Sequence, residues 1–378
     1  MPTADLRAAL RTADLRAALR TADLRAALRT AASDPARLTD AHAEALLGAD
    51  GHALRELCSI ADAVRAQRAG DAVTFVVNRN LDTGRVGAGT PQARARVREL
   101  AAEAQRLGAT EVCVQGPLPP GAPADGYLDL VRDVAAGAPG IHLHAFRPAE
   151  VADAAERRGS SPREFLLAAR EAGLGSVPGT AARILDDGVR ERLAGGPDLP
   201  VARWVELIST AHEVGLTSTA TMVHGHVETP AQQVAHLRLL ASIAERTGGF
   251  TEFIPMPFVP PPGAALPAGC RPGPDAREVR AVTAVARLLL AGRIDHVQAP
   301  WPKLPEALVL QLLAGGADDL GGLLLDGDLD PAAGQEQGLT MTRADVERLA
   351  AVLGRGVRRR TTRYGDPAGP PEPSTVPA

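Results

Sequence analysis

Two histidine pairs have the spacing best suited to chemistry: His142 and His144 alternate within "GIHLHA", and His224 and His226 flank a glycine in "TMVHGHVETP". Alternation places His142 and His144 on one face of the third strand and His224 and His226 follow the fifth, so two such pairs at the mouth of a barrel could present imidazoles to a divalent ion such as zinc. His144, His224 and His226 are the weak candidate ligands, and the chemistry would be a metal-dependent hydrolysis or lyase step. Catalytic zinc also demands an open coordination position, which spacing alone does not provide. Cys58, Cys113 and Cys270 are too few and too scattered for a disulfide framework. No Gly-x-Ser-x-Gly elbow or local Cys/His signature marks a nucleophile.

The elements that must position these residues alternate regularly. Short apolar runs at 74–79, 110–115, 140–145, 175–178, 217–223, 251–256, 294–299 and 318–324 are separated by helical patterns. Several follow helix-ending glycines, as in "RLGATEVCV" and "EVGLTSTATM". Eight β units with intervening helices predict an α/β fold, a parallel (βα) TIM-like barrel over 71–340. A doubly wound sheet is the alternative, but no glycine-rich phosphate loop follows the first strand. Residues 1–70 read as a helical N-terminal extension, 341–365 as a C-terminal helix and basic segment, and the Pro-rich 366–378 as a disordered tail. The extension opens with TADLRAALR three times, at 3–11, 12–20 and 21–29. Nine residues advance a helix by about two and a half turns, so successive copies face opposite ways and form no single apolar stripe. The repeat therefore reads as a partly solvated extension without its own function.

Composition excludes several classes. The 378 residues are 45% hydrophobic and 23% charged, enough for a sizeable core. A net charge of −4 arises from interspersed acidic and basic residues, which leaves no footprint for nucleic acid or an anionic membrane. The basic cluster Arg358–Arg360 is short. No N-terminal apolar segment resembles a signal peptide or membrane span, so a reducing cytoplasm is the expected location.

In a barrel of this kind chemistry sits at the carboxyl ends of the strands. These ends, with the adjoining blocks "VTFVVNRN", "GATEVCVQG", "HLHAF", "SVPGTAA", "TATMVHGHVETPAQQVAHLRLL", "RTGGFTEFIPMPF", "GRIDHVQAPWPKL" and "ADDLGG", resemble the radical S-adenosylmethionine enzymes of deazaflavin (FO) synthesis, specifically the 4-hydroxyphenyl transferase or second module of FO synthase. The resemblance spans about Leu38 to Gly365. It implies a radical-SAM-type barrel in which a [4Fe-4S] cluster cleaves S-adenosylmethionine and a tyrosine-derived group is added to 5-amino-6-(D-ribitylamino)uracil. Family positions persist at Asn78, Arg79, Gln115, His144, His226, Glu228, Glu252, Gln298 and Trp301, which are the substrate-pocket candidates.

The resemblance also marks departures. The family carries C-x3-C-x2-C after the first strand to ligate three irons of the cluster, and here "LDTGRVGAGTPQ" holds no cysteine. Pro117 replaces the second glycine of a pair that approaches the cofactor, and Arg183 stands where the family has an acid. The stretch after "DLGG" retains only Asp326 or Asp328 as partial substitutes. The resulting expectation is no bound cofactor and a degenerate, non-catalytic family member that binds a small polar heterocycle or pairs with an active paralogue. Two alternatives are an enzyme reusing the pocket for non-radical chemistry and one retaining the FO-synthase-type transfer.

Overall fold

The computed structural model describes residues 21–86, 89–180, 182–260, 263, 265–324 and 340–367. The first two repeat copies, Asp326, Asp328 and most of the Pro-rich tail lie outside these residues.

The strands are β1 (Val73–Val76), β2 (Asn78–Asp82), β3 (Glu111–Gln115), β4 (His142–Ala145), β5 (Leu174–Val177), β6 (Thr217–His224), β7 (Phe250–Pro257), β8 (Asp319–Gly322) and β9 (Val357–Arg359). β2 to β7 pair in chain order and β1 lies between β8 and β9, with every pairing parallel. The strand expected over 294–299 is reduced to isolated bridges, Phe253 with Val297 and Gln298 with Asp319. Its shortness has a local cause. The Asp318 carboxylate takes the Val297 amide at 2.8 Å, and Pro300 and Pro302 follow without N–H donors. Since Val77 alone separates β1 from β2, these links carry the sheet from β7 through β8 to the first strand, which makes the fold an α/β TIM-like barrel.

β1 is buried along its whole length, as a parallel strand covered on both faces requires. The helices are punctuated by their own sequences. Pro162–Ala172 and Pro230–Thr247 each begin with proline at the first helical position behind a capping box, Ser161 with Glu164 and Thr229 with Gln232. Gly215, with φ 84°, ends one helix and turns the chain into β6, a conformation that costs a side-chain-bearing residue about 1–2 kcal/mol. Tyr127, Phe146 and Phe165 form a buried aromatic cluster, Tyr127 meeting Phe146 edge-on at 5.1 Å.

The third repeat copy lies in a helix over 21–33, which buries Ala27 and Leu28 of the copy and Ala31 just beyond it. Helices Asp40–Leu47 and Gly51–Ala69 then pack on Ala276–Leu290 of the barrel layer. After the helix Arg343–Val352 the chain forms β9, which pairs with β1 from Val73 to Phe75, before the first strand meets β3 at Asn78. The C-terminal basic run is therefore part of the barrel and enters at its amino-terminal end.

Candidate functional site

Inside the barrel a cavity of about 310 Å³ runs from the first residue of β3, Glu111, to the last, Gln115. Alternation explains its lining. Asn78 and Asn80 of β2 face it together, as do Glu111, Cys113 and Gln115 of β3. His144, Thr219, Glu252 and Gln298 add polar groups from other positions around the ring, and Trp301 and Arg147 stand at the mouth. The Trp301 indole N–H donates to the Gly322 carbonyl at 3.1 Å, which fixes the ring. Phe146 adopts φ 68° at the end of β4, a conformation stabilised by its aromatic packing, and the next residue is the cavity-lining Arg147. Arg147 is held in turn by Glu150 at 2.6 Å.

The Gly-Gly of "DLGG" has a steric reason. A Cβ on Gly321 would sit 1.6 Å from the Gln298 amide nitrogen, and one on Gly322 would sit 2.1 Å from the Asn78 amide oxygen. The two glycines thus leave room for two cavity side chains.

The floor is a dense charged cluster. The Arg360 Nη2 donates to Glu252 at 2.9 Å and to Asp319 at 2.7 Å, while its Nε reaches the other Asp319 oxygen at 2.5 Å. Tyr364 donates its hydroxyl to the same Glu252 oxygen at 2.6 Å. Thr362 donates to Glu111 at 2.6 Å. Burial pushes the Glu252 carboxyl up to about 7; Asp319 and Glu111 push it the same way, whereas Arg360 and the Tyr364 hydroxyl oppose the rise.

The histidines behave differently from one another. His142 Nε2 and His144 Nδ1 both contact the Ser176 hydroxyl, at 2.7 and 2.6 Å, and burial lowers both imidazoles to about 4. His226 donates from Nε2 to the Val223 carbonyl at 2.9 Å and lies 2.8 Å from Glu228. Burial works against the Glu228 charge, but hydrogen bonds from His226, the Gly225 amide and Gln233 hold its carboxyl well below the usual range. His224 is fully buried with neither ring nitrogen partnered among the described residues.

Of the nine pocket candidates, the cavity gathers Asn78, Gln115, His144, Glu252, Gln298 and Trp301. Arg79 points outward instead, to the Leu100 carbonyl at 2.7 Å and Glu103 at 2.8 Å, because adjacent strand residues face opposite sides. His226 and Glu228 knit the loop after β6 to the helix Pro230–Thr247 and do not line the cavity. His144, His224 and His226 do not converge: among the described residues no group of three or more His, Cys, Asp or Glu is placed to hold a metal ion. Arg183 pairs with Asp198 at 3.1 Å, away from the cavity. Cys113, which the sequence does not single out as a pocket residue, also lines the cavity. Period-2 alternation from Gln115 would have found Cys113 and Glu111, and from Asn78 would have found Asn80. No local signal marks Arg360, which arrives from a segment outside the eight β units.

The fold is that of a radical-SAM-type barrel. Methylornithine synthase superposes with a TM-score of 0.63 at 17% identity, covering 88% of this chain and 97% of that one. The FeFe-hydrogenase maturase HydG from Carboxydothermus hydrogenoformans gives 0.64 at 11% identity, covering 96% and 85%. At such identity these likenesses establish the fold alone. No protein-family profile matches the chain.

Sequence relatives take the assignment further. The 5-amino-6-(D-ribitylamino)uracil–L-tyrosine 4-hydroxyphenyl transferase of Methanothermobacter thermautotrophicus is 37% identical over 344 residues, which cover 86% of this chain and 94% of that protein. The FO synthases of Mycobacterium leprae and Streptomyces coelicolor are each 47% identical across 88% of this chain, but the match spans only 40% of their length. The chain belongs to the FO synthase and 4-hydroxyphenyl transferase family.

This membership corrects the expectation that no cofactor is used: the relatives are radical S-adenosylmethionine enzymes, which employ a [4Fe-4S] cluster and S-adenosylmethionine. The cysteines of this chain do not themselves fit the thiolate set of such a cluster. Cys58 lies in the helix Gly51–Ala69, Cys113 in β3 and Cys270 in the loop after β7.

Among the described residues no helix is long and apolar enough to cross a membrane.

Proposed function

We propose that the barrel cavity binds 5-amino-6-(D-ribitylamino)uracil, and that this chain serves FO synthesis as a ligand-binding member of its family, working beside an active relative. The observation that carries this reading is the convergence of amide, carboxylate and imidazole groups from separate strands on one cavity of about 310 Å³. That volume lies at the lower end of the range for small-molecule sites, roughly 300–1,000 Å³. Each amide of Asn78, Asn80, Gln115 and Gln298 offers both a donor and an acceptor, the pairing a uracil edge requires. The carboxylates of Glu111 and Glu252 accept from ribityl hydroxyls and amino groups, and the fixed Trp301 ring supplies an apolar wall.

A second reading, retained 4-hydroxyphenyl transfer, is favoured by the 37% identity across nearly the whole of the archaeal transferase. The two are separated by one pair of experiments. Calorimetry should give saturable binding of 5-amino-6-(D-ribitylamino)uracil, and no heat would remove the binding reading. An anaerobic assay after iron and sulfide reconstitution, with tyrosine and S-adenosylmethionine, should give no product from this chain alone. Multiple turnovers would establish the second reading instead.

A further inference from the structure

The cavity floor is built by a segment that does not belong to the eight barrel units. After β9 the chain bends beneath the barrel, where Arg360, Thr362 and Tyr364 bond to Asp319, Glu252 and Glu111. Two of these carboxylates, Glu252 and Glu111, line the cavity.

Glu252 is held asymmetrically. Both strap donors, the Arg360 guanidinium and the Tyr364 hydroxyl, reach its Oε2. Among the described residues nothing donates to Oε1, although the side chain lines the cavity. The strap is braced against movement: Arg360 lies 4.0 Å from the Tyr364 ring centroid, that ring stacks on His296 at 3.5 Å, and His296 contacts Asp318 at 2.7 Å.

We propose that Glu252 is the proton-exchanging group of the cavity and that Arg360 and Tyr364 are the positioning residues that hold its carboxylate. The proposal rests on the reading of the cavity as a ligand site. A carboxylate with one oxygen clamped and the other free presents a single acceptor in a fixed direction, the geometry for taking a proton from, or returning it to, a bound amine or hydroxyl. The groups facing it are Glu111 from β3, His144 from β4, Asp319 from β8, and Arg360 and Tyr364 from the strap, with His296 behind the tyrosine. Burial and the neighbouring acids raise its proton affinity toward neutrality, which suits such exchange.

The test begins with ligand-free protein. Infrared difference spectra between wild type and Glu252→Gln isolate the carboxyl band of this one side chain. It should protonate near neutral pH. Tyr364→Phe keeps the stacked ring and removes one donor to the charged form, so it should raise the midpoint by about one pH unit, a tenfold change in protonation. A band that stays ionised down to the ordinary carboxylate range, or a midpoint that Tyr364→Phe leaves in place, overturns the proposal. In a second arm, the Kd for 5-amino-6-(D-ribitylamino)uracil should follow the same midpoint in both proteins. A pH-independent Kd overturns the role of Glu252 toward the ligand. Absence of binding with the titration intact defeats the ligand assignment alone, and the positioning of Glu252 by the strap stands on the spectra.

Discussion

Two buried polar places in this barrel are built on opposite terms. At the floor, Arg360, Glu252 and Asp319 are buried and Tyr364 is half-buried, and each has a partner of opposite charge or a hydrogen bond. At the end of β6, His224 is equally enclosed, and neither of its nitrogens is partnered among the described residues. Polarity contributes to the floor, and at His224 it only costs stability. Buried charges that satisfy one another give fixed geometry, whereas an orphan imidazole gives the desolvation penalty with nothing in return.

The largest effect should come from breaking the floor. Arg360→Met keeps the length and removes the charge, leaving Asp319 and Glu252 buried without their cation. Urea unfolding should show a loss of about 3–5 kcal/mol, the usual cost of an uncompensated buried pair. A loss below about 1 kcal/mol would mean that the floor cluster does not depend on its arginine.

The cavity wall ranks next. Gly321 has φ 69°, and a Cβ there would collide with Gln298, so Gly321→Ala should cost about 1–2 kcal/mol and also weaken ligand binding by displacing that amide. Unchanged binding affinity would separate Gln298 from the site.

The orphan histidine should respond with the opposite sign. His224→Phe removes an unsatisfied buried ring of similar shape and should stabilise the protein by about 1 kcal/mol in the same urea assay. Destabilisation would reveal a partner for His224.

Acid sensitivity gives the smallest of the four effects, a change of slope. Burial lowers His142, His144, His212 and His224 to about 4 and His236 to about 3. Below the ordinary histidine value of about 6.5 the unfolded chain binds more protons than the native one, so stability falls as pH drops toward 4. Glu252, whose folded value is raised, works the other way between about 7 and the ordinary carboxylate range. The five histidines outnumber it. His224→Phe should flatten the decline between pH 6.5 and 4 relative to wild type, and an unchanged slope would argue that His224 titrates normally.

Much of the barrel was legible because parallel strands buried on both faces must read as apolar runs, and seven of the eight expected runs are strands. The exception, at 294–299, failed as a full strand because a side chain, Asp318, captured a backbone donor, an event that hydropathy does not encode. The identical spacing of the two histidine pairs suggested equal roles. Their surroundings separate them: Ser176 lies beside the first pair, while the second sits where β6 gives way to a loop organised by Glu228. Arg79 shows the cost of ignoring strand alternation, since its neighbours Asn78 and Asn80 face the cavity and it cannot. Least legible was the floor. "RRRTTRY" reads as solvated charge, and only a pairing between β9 and β1, nearly three hundred residues apart in sequence, brings Arg360 inside.

A crystal structure of the chain with 5-amino-6-(D-ribitylamino)uracil decides whether this cavity is a ligand site. Density for the compound is expected between the Trp301 ring and the Glu252 carboxylate, with its uracil edge on the amides of Gln115 or Gln298. A compound bound elsewhere, or an empty cavity at saturating concentration, would contradict it.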